Sequence, residues 1–177
     1  PCEEVSEISA RLDELMSVPE FRKLFESKGY ATEFINARFV LSPPLFKNIY
    51  KGAIGEVVGD FVLNEWGFRL AEMPKEHYEM FDAIISEGSY IDYKYWSSSG
   101  FTNEGEQVNH IFGKLRSVRG RVAIIANVLR RKGDNSEIST YREDGMTIIT
   151  IPWLIEIAGN TVSHNIEAIE AIGRAIR

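Results

Sequence analysis

The chain has little cysteine chemistry, because Cys2 is the single cysteine among its 177 residues. One thiol cannot form an internal disulfide or a cysteine-based metal cluster, so a reducing, cytoplasmic setting is the expectation. No apolar run approaches the roughly 20 residues that span a bilayer, and no basic-then-apolar leader marks a secretory signal. We therefore expect no membrane partner. The first residue is Pro1 rather than Met, so the chain is expected to be a domain of a longer polypeptide. A homodimer is the alternative expectation.

The chain also lacks the positive net charge that is typical of nucleic-acid-binding proteins, since its formal net charge is −6. Its basic residues are nevertheless clustered, with seven of them and no acidic residue between Lys114 and Lys132. A polyanion responds to the local field rather than to total charge, so this run can contact phosphates. The alternative is that the run is only a solvated helix end followed by a loop.

The chain does have enough apolar sequence to fold, since 44% of its residues are hydrophobic. Helical spacing predicts two short helices within residues 1–44 and a long helix from Leu45 to Trp66, ended by Gly67. Further strands are predicted at residues 68–73, 80–96 (a hairpin), 121–129 and 146–151, and further helices at residues 102–120, 152–158 and 162–176. This order predicts an α/β fold with a mixed central sheet flanked by helices. Residues 1–44 are expected to be an N-terminal helical appendage and residues 45–177 the main domain.

Three charged residues lie within the apolar runs of the predicted hairpin, FDAIISEGSYIDYKYW. Asp92 and Lys94 are two residues apart and therefore share one face of a strand. A regular short turn at residues 86–89 leaves Asp82 one step from the position opposite Asp92, and a bulge or a strand end would bring the two carboxylates together. The alternative is a solvent-exposed Asp–Lys pair above a core face formed by Ile91, Tyr93 and Tyr95.

Neighbouring carboxylates repel each other unless a cation lies between them. Hard oxygen ligands favour Mg²⁺ or Mn²⁺ over zinc, and a nearby amine can orient water or neutralise charge on a phosphate. The predicted long helix offers a third carboxylate, Glu56, on one stripe with Gly52, Gly55 and Gly59. Such a stripe lets a helix approach a strand or a ligand closely. The alternative is that the glycines serve only helix–sheet packing and that Glu56 is merely exposed.

This combination resembles the PD-(D/E)xK nuclease superfamily, which has the restriction-endonuclease-like fold. The family pattern is a helix-borne Glu, an Asp at a strand end, and Asp/Glu-x-Lys on the next strand. Here the pattern matches Glu56 in GAIGEVVGDF, Asp82 in FDAII and Asp92-Tyr93-Lys94 in YIDYKYW. The resemblance covers residues 45–151 and implies an αβββαβ core. The sequence departs from the pattern in having Phe81, rather than Pro, before Asp82.

The resemblance implies a metal-dependent nuclease that hydrolyses phosphodiester bonds, with DNA preferred over RNA. Glu56, Asp82, Asp92 and the Tyr93 carbonyl would ligate Mg²⁺ or Mn²⁺, and Lys94 would position or activate the attacking water. The candidate nucleic-acid contacts are Gln107, Lys114, Arg116, Arg119 and Arg121. Gln107 is followed by Ile111 where helicase-linked branches carry Tyr. Two alternatives stay open: a nuclease-like domain that binds nucleic acid or a protein partner without cutting, and a ribonuclease that uses the same site.

Overall fold

The computed structural model describes residues 10–29, 51–94 and 104–177 of the chain. Within these ranges one sheet contains five strands: β1 (Ala83–Ser86), β2 (Ser89–Tyr93), β3 (Val122–Ala126), β4 (Ser139–Glu143) and β5 (Met146–Ile151). The strands are ordered β1-β2-β3-β5-β4. The three inner strands are parallel, and each outer strand is antiparallel to its neighbour. The predicted mixed sheet is therefore confirmed.

Helices cover both faces of the sheet. They are α1 (residues 10–16), α2 (Pro19–Ser27), α3 (a π-helical segment, Lys51–Val58, continued as α-helix by Gly59–Glu65), α4 (Glu104–Ser117) and α5 (Ile166–Ala175). Every residue of β3 is buried, because both faces of this central parallel strand are covered. Strand alternation places Ile125 in the apolar cluster under α4 and Ile124 in the cluster under α1, α2 and α3. The prediction of helices flanking the sheet is confirmed.

The described part of the predicted N-terminal appendage packs on the main domain. Leu12, Phe21 and Phe25 are buried in the same apolar cluster as Val58 and Ile124. The proposed boundary at residue 44 lies outside the described residues and stays a prediction. No helix in residues 10–29, 51–94 or 104–177 is long and apolar enough to cross a membrane.

Two secondary-structure predictions were wrong, and the terminal helix predicted from residue 162 begins only at Ile166. Residues 68–73 do not form a regular strand, and their pairing is a single bridge between Ala71 and Ile84. The predicted helix at residues 152–158 is instead the strand β6 (Ile155–Ala158), which pairs with β7 (Thr161–His164). Gly159, at φ +63°, makes the turn between the strands, and Asn165 caps the start of α5 by accepting from the Ala168 N–H. Pro152 indicated the start of a helix, but these residues instead form a hairpin through the pairing of β6 with β7.

Candidate functional site

A β-bulge sets the register of the β1–β2 hairpin. Ile84 pairs with Tyr90 on one side of the irregularity and Ser86 pairs with Ser89 on the other, so Ile85 is the extra residue. Beyond this point the pairing is displaced by one residue from the regular register expected from the sequence.

The displaced register, continued by one residue, places Asp82 opposite Asp92. The Asp82 N–H donates to Asp92 Oδ1 at 2.9 Å and to the Ile91 carbonyl at 3.0 Å. In return, the Tyr93 N–H donates to Asp82 Oδ2 at 2.7 Å. Each carboxylate is therefore held by the backbone of the other strand, and the structure brings the two predicted acidic residues together.

Asp92 is a buried carboxylate between two lysines. Its side chain is 5% exposed, and its Oδ2 atom lies 3.4 Å from Lys94 Nζ and 3.1 Å from Lys114 Nζ. The Lys94 side chain is 42% exposed, whereas that of Lys114 is 17% exposed. A buried charge needs such partners, because its lost hydration is otherwise uncompensated. The cluster thus contains both members of the predicted Asp92–Lys94 pair.

Lys114 enters this cluster although the sequence indicated it only as a phosphate contact. It lies on α4, where Gln107, Ile111 and Lys114 follow one another at helical spacing and share one face. Because Ile111 is buried on the sheet side, that face points towards β2 and β3. This position on an inward-facing stripe, rather than in the basic run, is the signal that could have revealed the pairing.

Negative charge accumulates around Asp82. Its side chain keeps contact with solvent, but crowding by neighbouring atoms displaces water and is the largest cause that raises its pKa, to about 6. The Tyr93 N–H opposes this rise in the pKa, the charges of Asp92 and Glu56 add to it, and Lys94 opposes it again. Glu56 is exposed on α3, and its negative charge acts on Asp82 through space.

The raised pKa predicts that stability falls as pH rises. Between its ordinary value of 3.8 and about 6, folded Asp82 keeps a proton that the unfolded chain has released. The free energy of unfolding therefore decreases through this window, and Asp82→Asn should remove that part of the decrease. Urea unfolding should be measured at about pH 4 and about pH 7. The free energy of unfolding of Asp82→Asn, relative to that of wild type, should be higher at about pH 7 than at about pH 4.

The matched control is Asp144→Asn, because the Asp144 side chain is 79% exposed. Its unfolding free energy relative to wild type should be nearly the same at both pH values. An Asp82→Asn difference that is equally independent of pH would contradict the prediction.

Tyr93 connects the carboxylates to α3. Its ring is buried, and its hydroxyl donates to Asp60 Oδ1 at 2.6 Å. A Cβ atom added at Gly55 would lie 3.1 Å from Tyr93 Cβ, and one added at Gly59 would lie 2.8 Å from Tyr93 Cδ1. These glycines therefore serve close helix–sheet packing, and this approach carries Glu56 towards the site. Burial is the main cause that raises the pKa of Tyr93, so its hydroxyl remains a donor.

Gly59→Ala is expected to destabilise the fold by about 1–3 kcal/mol, because the added methyl group overlaps the Tyr93 ring. Gly113→Ala is the matched control, since it lies within α4 and an added Cβ meets nothing within 4 Å. That substitution should stabilise by about 0.5–1 kcal/mol through helix propensity. Urea unfolding of both variants measures the difference. Equal effects of the two substitutions would contradict the packing role of Gly59.

The remaining predicted contacts divide into two groups. Gln107 lines a cavity of about 500 Å³ together with Asp92, Lys94 and Lys114. Arg116, Arg119 and Arg121 are exposed around the C-terminal end of α4, and Arg116 forms ion pairs with Glu143 and Asp144. Their contact with nucleic acid stays a prediction.

The donor types at the site suit a hard cation, because Asp82 and Asp92 present carboxylate oxygens close together across the hairpin. Among residues 10–29, 51–94 and 104–177, however, no three His, Cys, Asp or Glu side chains form a group that could hold a metal ion. Mg²⁺ is commonly bound through only one or two carboxylates, with water and substrate oxygens as its other ligands, so Asp82 and Asp92 fit such a cation in donor chemistry. Glu56 contributes its field rather than a third ligand in place.

Fold and site together define a mixed α/β domain with a paired-carboxylate, two-lysine cluster at the end of its hairpin. No protein-family model matches the chain, and no curated protein matches it.

Proposed function

We propose that this chain is a metal-dependent nuclease domain that hydrolyses phosphodiester bonds in DNA, in a cytoplasmic setting. The observation that carries the proposal is the pairing of Asp82 with Asp92 on adjacent strands, with Lys94 Nζ 3.4 Å from Asp92 Oδ2. This agrees with the PD-(D/E)xK pattern in the sequence. The order of α3, the β1–β2 hairpin, α4 and β3, with β3 parallel to β2, is consistent with an αβββαβ restriction-endonuclease-like core. The bridge at Ala71 stands where that core has its first strand.

Asp82, Asp92 and the Tyr93 carbonyl would hold Mg²⁺ or Mn²⁺, and Glu56, which is not in place as a ligand, would add its negative charge to the site. When bound, such an ion supplies Lewis acidity to a phosphate and acidifies a water molecule. The ammonium of Lys94 lies on the solvent side of Asp92, where it can orient water or neutralise charge developing on a phosphate oxygen.

Substrate binding is assigned to the positive side of the site. Gln107 and Lys114 line the cavity beside Asp92, within reach of a nucleotide placed there. Arg116, Arg119 and Arg121 extend positive charge beyond this cavity towards more distant phosphates. Such contacts neutralise phosphate charge, so DNA binding should weaken as salt concentration rises.

A domain that binds nucleic acid or a protein partner without cutting is the second candidate function. The observation that favours it is the charge balance at Asp92, where two ammonium groups already compensate the buried carboxylate. A site of this kind can be stable without a metal ion, because its buried charge is paired.

The test is cleavage of duplex DNA, single-stranded DNA and RNA in Mg²⁺, Mn²⁺ or EDTA. We expect metal-dependent cleavage of DNA by wild type, loss of cleavage in Asp82→Asn, and wild-type cleavage by the exposed control Asp144→Asn. Cleavage of RNA alone would replace the proposal with the ribonuclease alternative. No cleavage of any substrate by the folded chain would overturn it in favour of the binding domain.

A further inference from the structure

Lys114 is held in place more firmly than a surface lysine. Its Nζ donates to Asp92 Oδ2 at 3.1 Å and lies 5.0 Å from the centroid of the Phe81 ring. Phe81 is buried, so the ammonium lies between a buried carboxylate and the face of a buried aromatic ring. Charge–charge and cation–π attraction are both strengthened where water is excluded.

Both oxygens of the Asp92 carboxylate have partners among the residues that the structure describes. Its Oδ1 accepts from the Asp82 N–H, and its Oδ2 faces Lys114 Nζ and Lys94 Nζ. Carboxylate oxygens approach Mg²⁺ to about 2.0–2.1 Å. A divalent ion at that distance from Oδ2 would lie within a few ångströms of the Lys114 ammonium, and the two positive charges would repel each other.

The cavity beside Asp92 gives the ammonium of Lys114 an alternative position. This space of about 500 Å³ is lined by Lys114 itself and by Lys94, Gln107, His110 and one acidic residue, Glu106. A lysine side chain is long and flexible, so its ammonium can turn from the carboxylate into the cavity without movement of α4.

We propose that Lys114 is a positioning residue that competes with a divalent cation for Asp92 Oδ2 and thereby sets the metal affinity of the site. When a cation replaces it at Asp92 Oδ2, the ammonium of Lys114 turns into the cavity and contacts a phosphate of the substrate. The inference rests on the proposed metal-dependent function. Neither the length of the basic run nor the hairpin motif indicates it, because it depends on the contact between α4 and β2.

The test is calorimetric titration of Mn²⁺ into wild type, Lys114→Met and Lys114→Arg. Lys114→Met keeps the apolar stem beside Phe81 but removes the charge, and its Mn²⁺ affinity should rise about tenfold or more. In Lys114→Arg the guanidinium can bind the carboxylate with two hydrogen bonds, so the affinity should fall at least about threefold. Mn²⁺ should also raise the melting temperature of Lys114→Met more than that of wild type, since the ion replaces the missing charge.

Lys75→Met is the matched control, because it removes an exposed lysine charge outside the proposed site and should leave the Mn²⁺ affinity unchanged. A purely structural role for Lys114 would lower stability without tightening metal binding. Wild-type or weaker affinity in folded Lys114→Met overturns the inference. If Lys114→Met does not fold, the test relies on Lys114→Arg. A wild-type Mn²⁺ affinity in Lys114→Arg then overturns the inference.

Cleavage of duplex DNA, measured in parallel, separates this inference from the proposed function. Metal-dependent cleavage by wild type, with equal Mn²⁺ affinities in all variants, overturns the role of Lys114 alone. Absence of both Mn²⁺ binding and cleavage in wild type and variants overturns the two proposals together.

Discussion

Lys94→Met is expected to lower the rate of DNA cleavage by about 10²–10⁴-fold, the usual contribution of a well-placed acid–base or charge-stabilising group. The Lys94 ammonium lies 3.4 Å from Asp92 Oδ2 on a side chain that is 42% exposed, so it can reach both the carboxylate cluster and a bound phosphate. Methionine keeps a stem of similar length, and Lys114 still compensates Asp92. The folded state should therefore survive while the activity is lost.

The measurement is the single-turnover cleavage rate of a labelled duplex in saturating Mn²⁺, with urea unfolding of the same samples. Lys75→Met is the matched control, because Lys75 is an exposed lysine on the short 3₁₀ turn before β1. Its cleavage rate should equal that of wild type. A Lys94→Met rate within about threefold of wild type would remove Lys94 from the proposed mechanism.

Asp92→Ala is expected to cost about 3–5 kcal/mol of folding free energy, the usual effect of removing one member of a buried ion pair. The substitution leaves the Lys114 ammonium, whose side chain is 17% exposed, beside apolar atoms without its carboxylate partner. Asp92→Asn should cost less, because the amide oxygen can still accept from the Asp82 N–H. Both values are obtained from urea unfolding.

Asp144→Asn is the control for this series, since it removes an exposed carboxylate charge 3.7 Å from Arg116 and keeps a residue type that tolerates the φ of +50° at this position. Exposed ion pairs contribute little, so its effect should stay within about 0.5–1 kcal/mol. The double variant Asp92→Ala/Lys114→Met should recover part of the loss, because it removes both charges. An Asp92→Ala cost as small as the control would contradict the buried-pair description.

The site depends on two weak local features of the chain rather than on a strong motif. The bulge at Ile85 moves Asp82 by one position, and the glycines of α3 let that helix approach Tyr93. Either feature could change without altering the acidic residues themselves. For this reason Gly59→Ala should disturb the site through Tyr93, whose N–H holds Asp82.

Features that depend on local periodicity could be predicted from the amino-acid sequence. Alternation along β2 places Asp92 and Lys94 on one face, and the unbroken apolar run of β3 indicates a strand covered on both sides. Helical spacing likewise predicted α4 and the end of α3 near Gly67. These patterns are readable because each involves residues only a few positions apart.

The contacts between residues that are distant in sequence became evident from the three-dimensional fold. The bulge at Ile85 sets Asp82 opposite Asp92, and the packing of α4 brings Lys114 to the same carboxylate. Cross-strand pairing likewise made β6 and β7 a hairpin where a helix was predicted. Strand register and buried charge pairing could not be predicted in this way, because they depend on free energies summed over several elements of the fold.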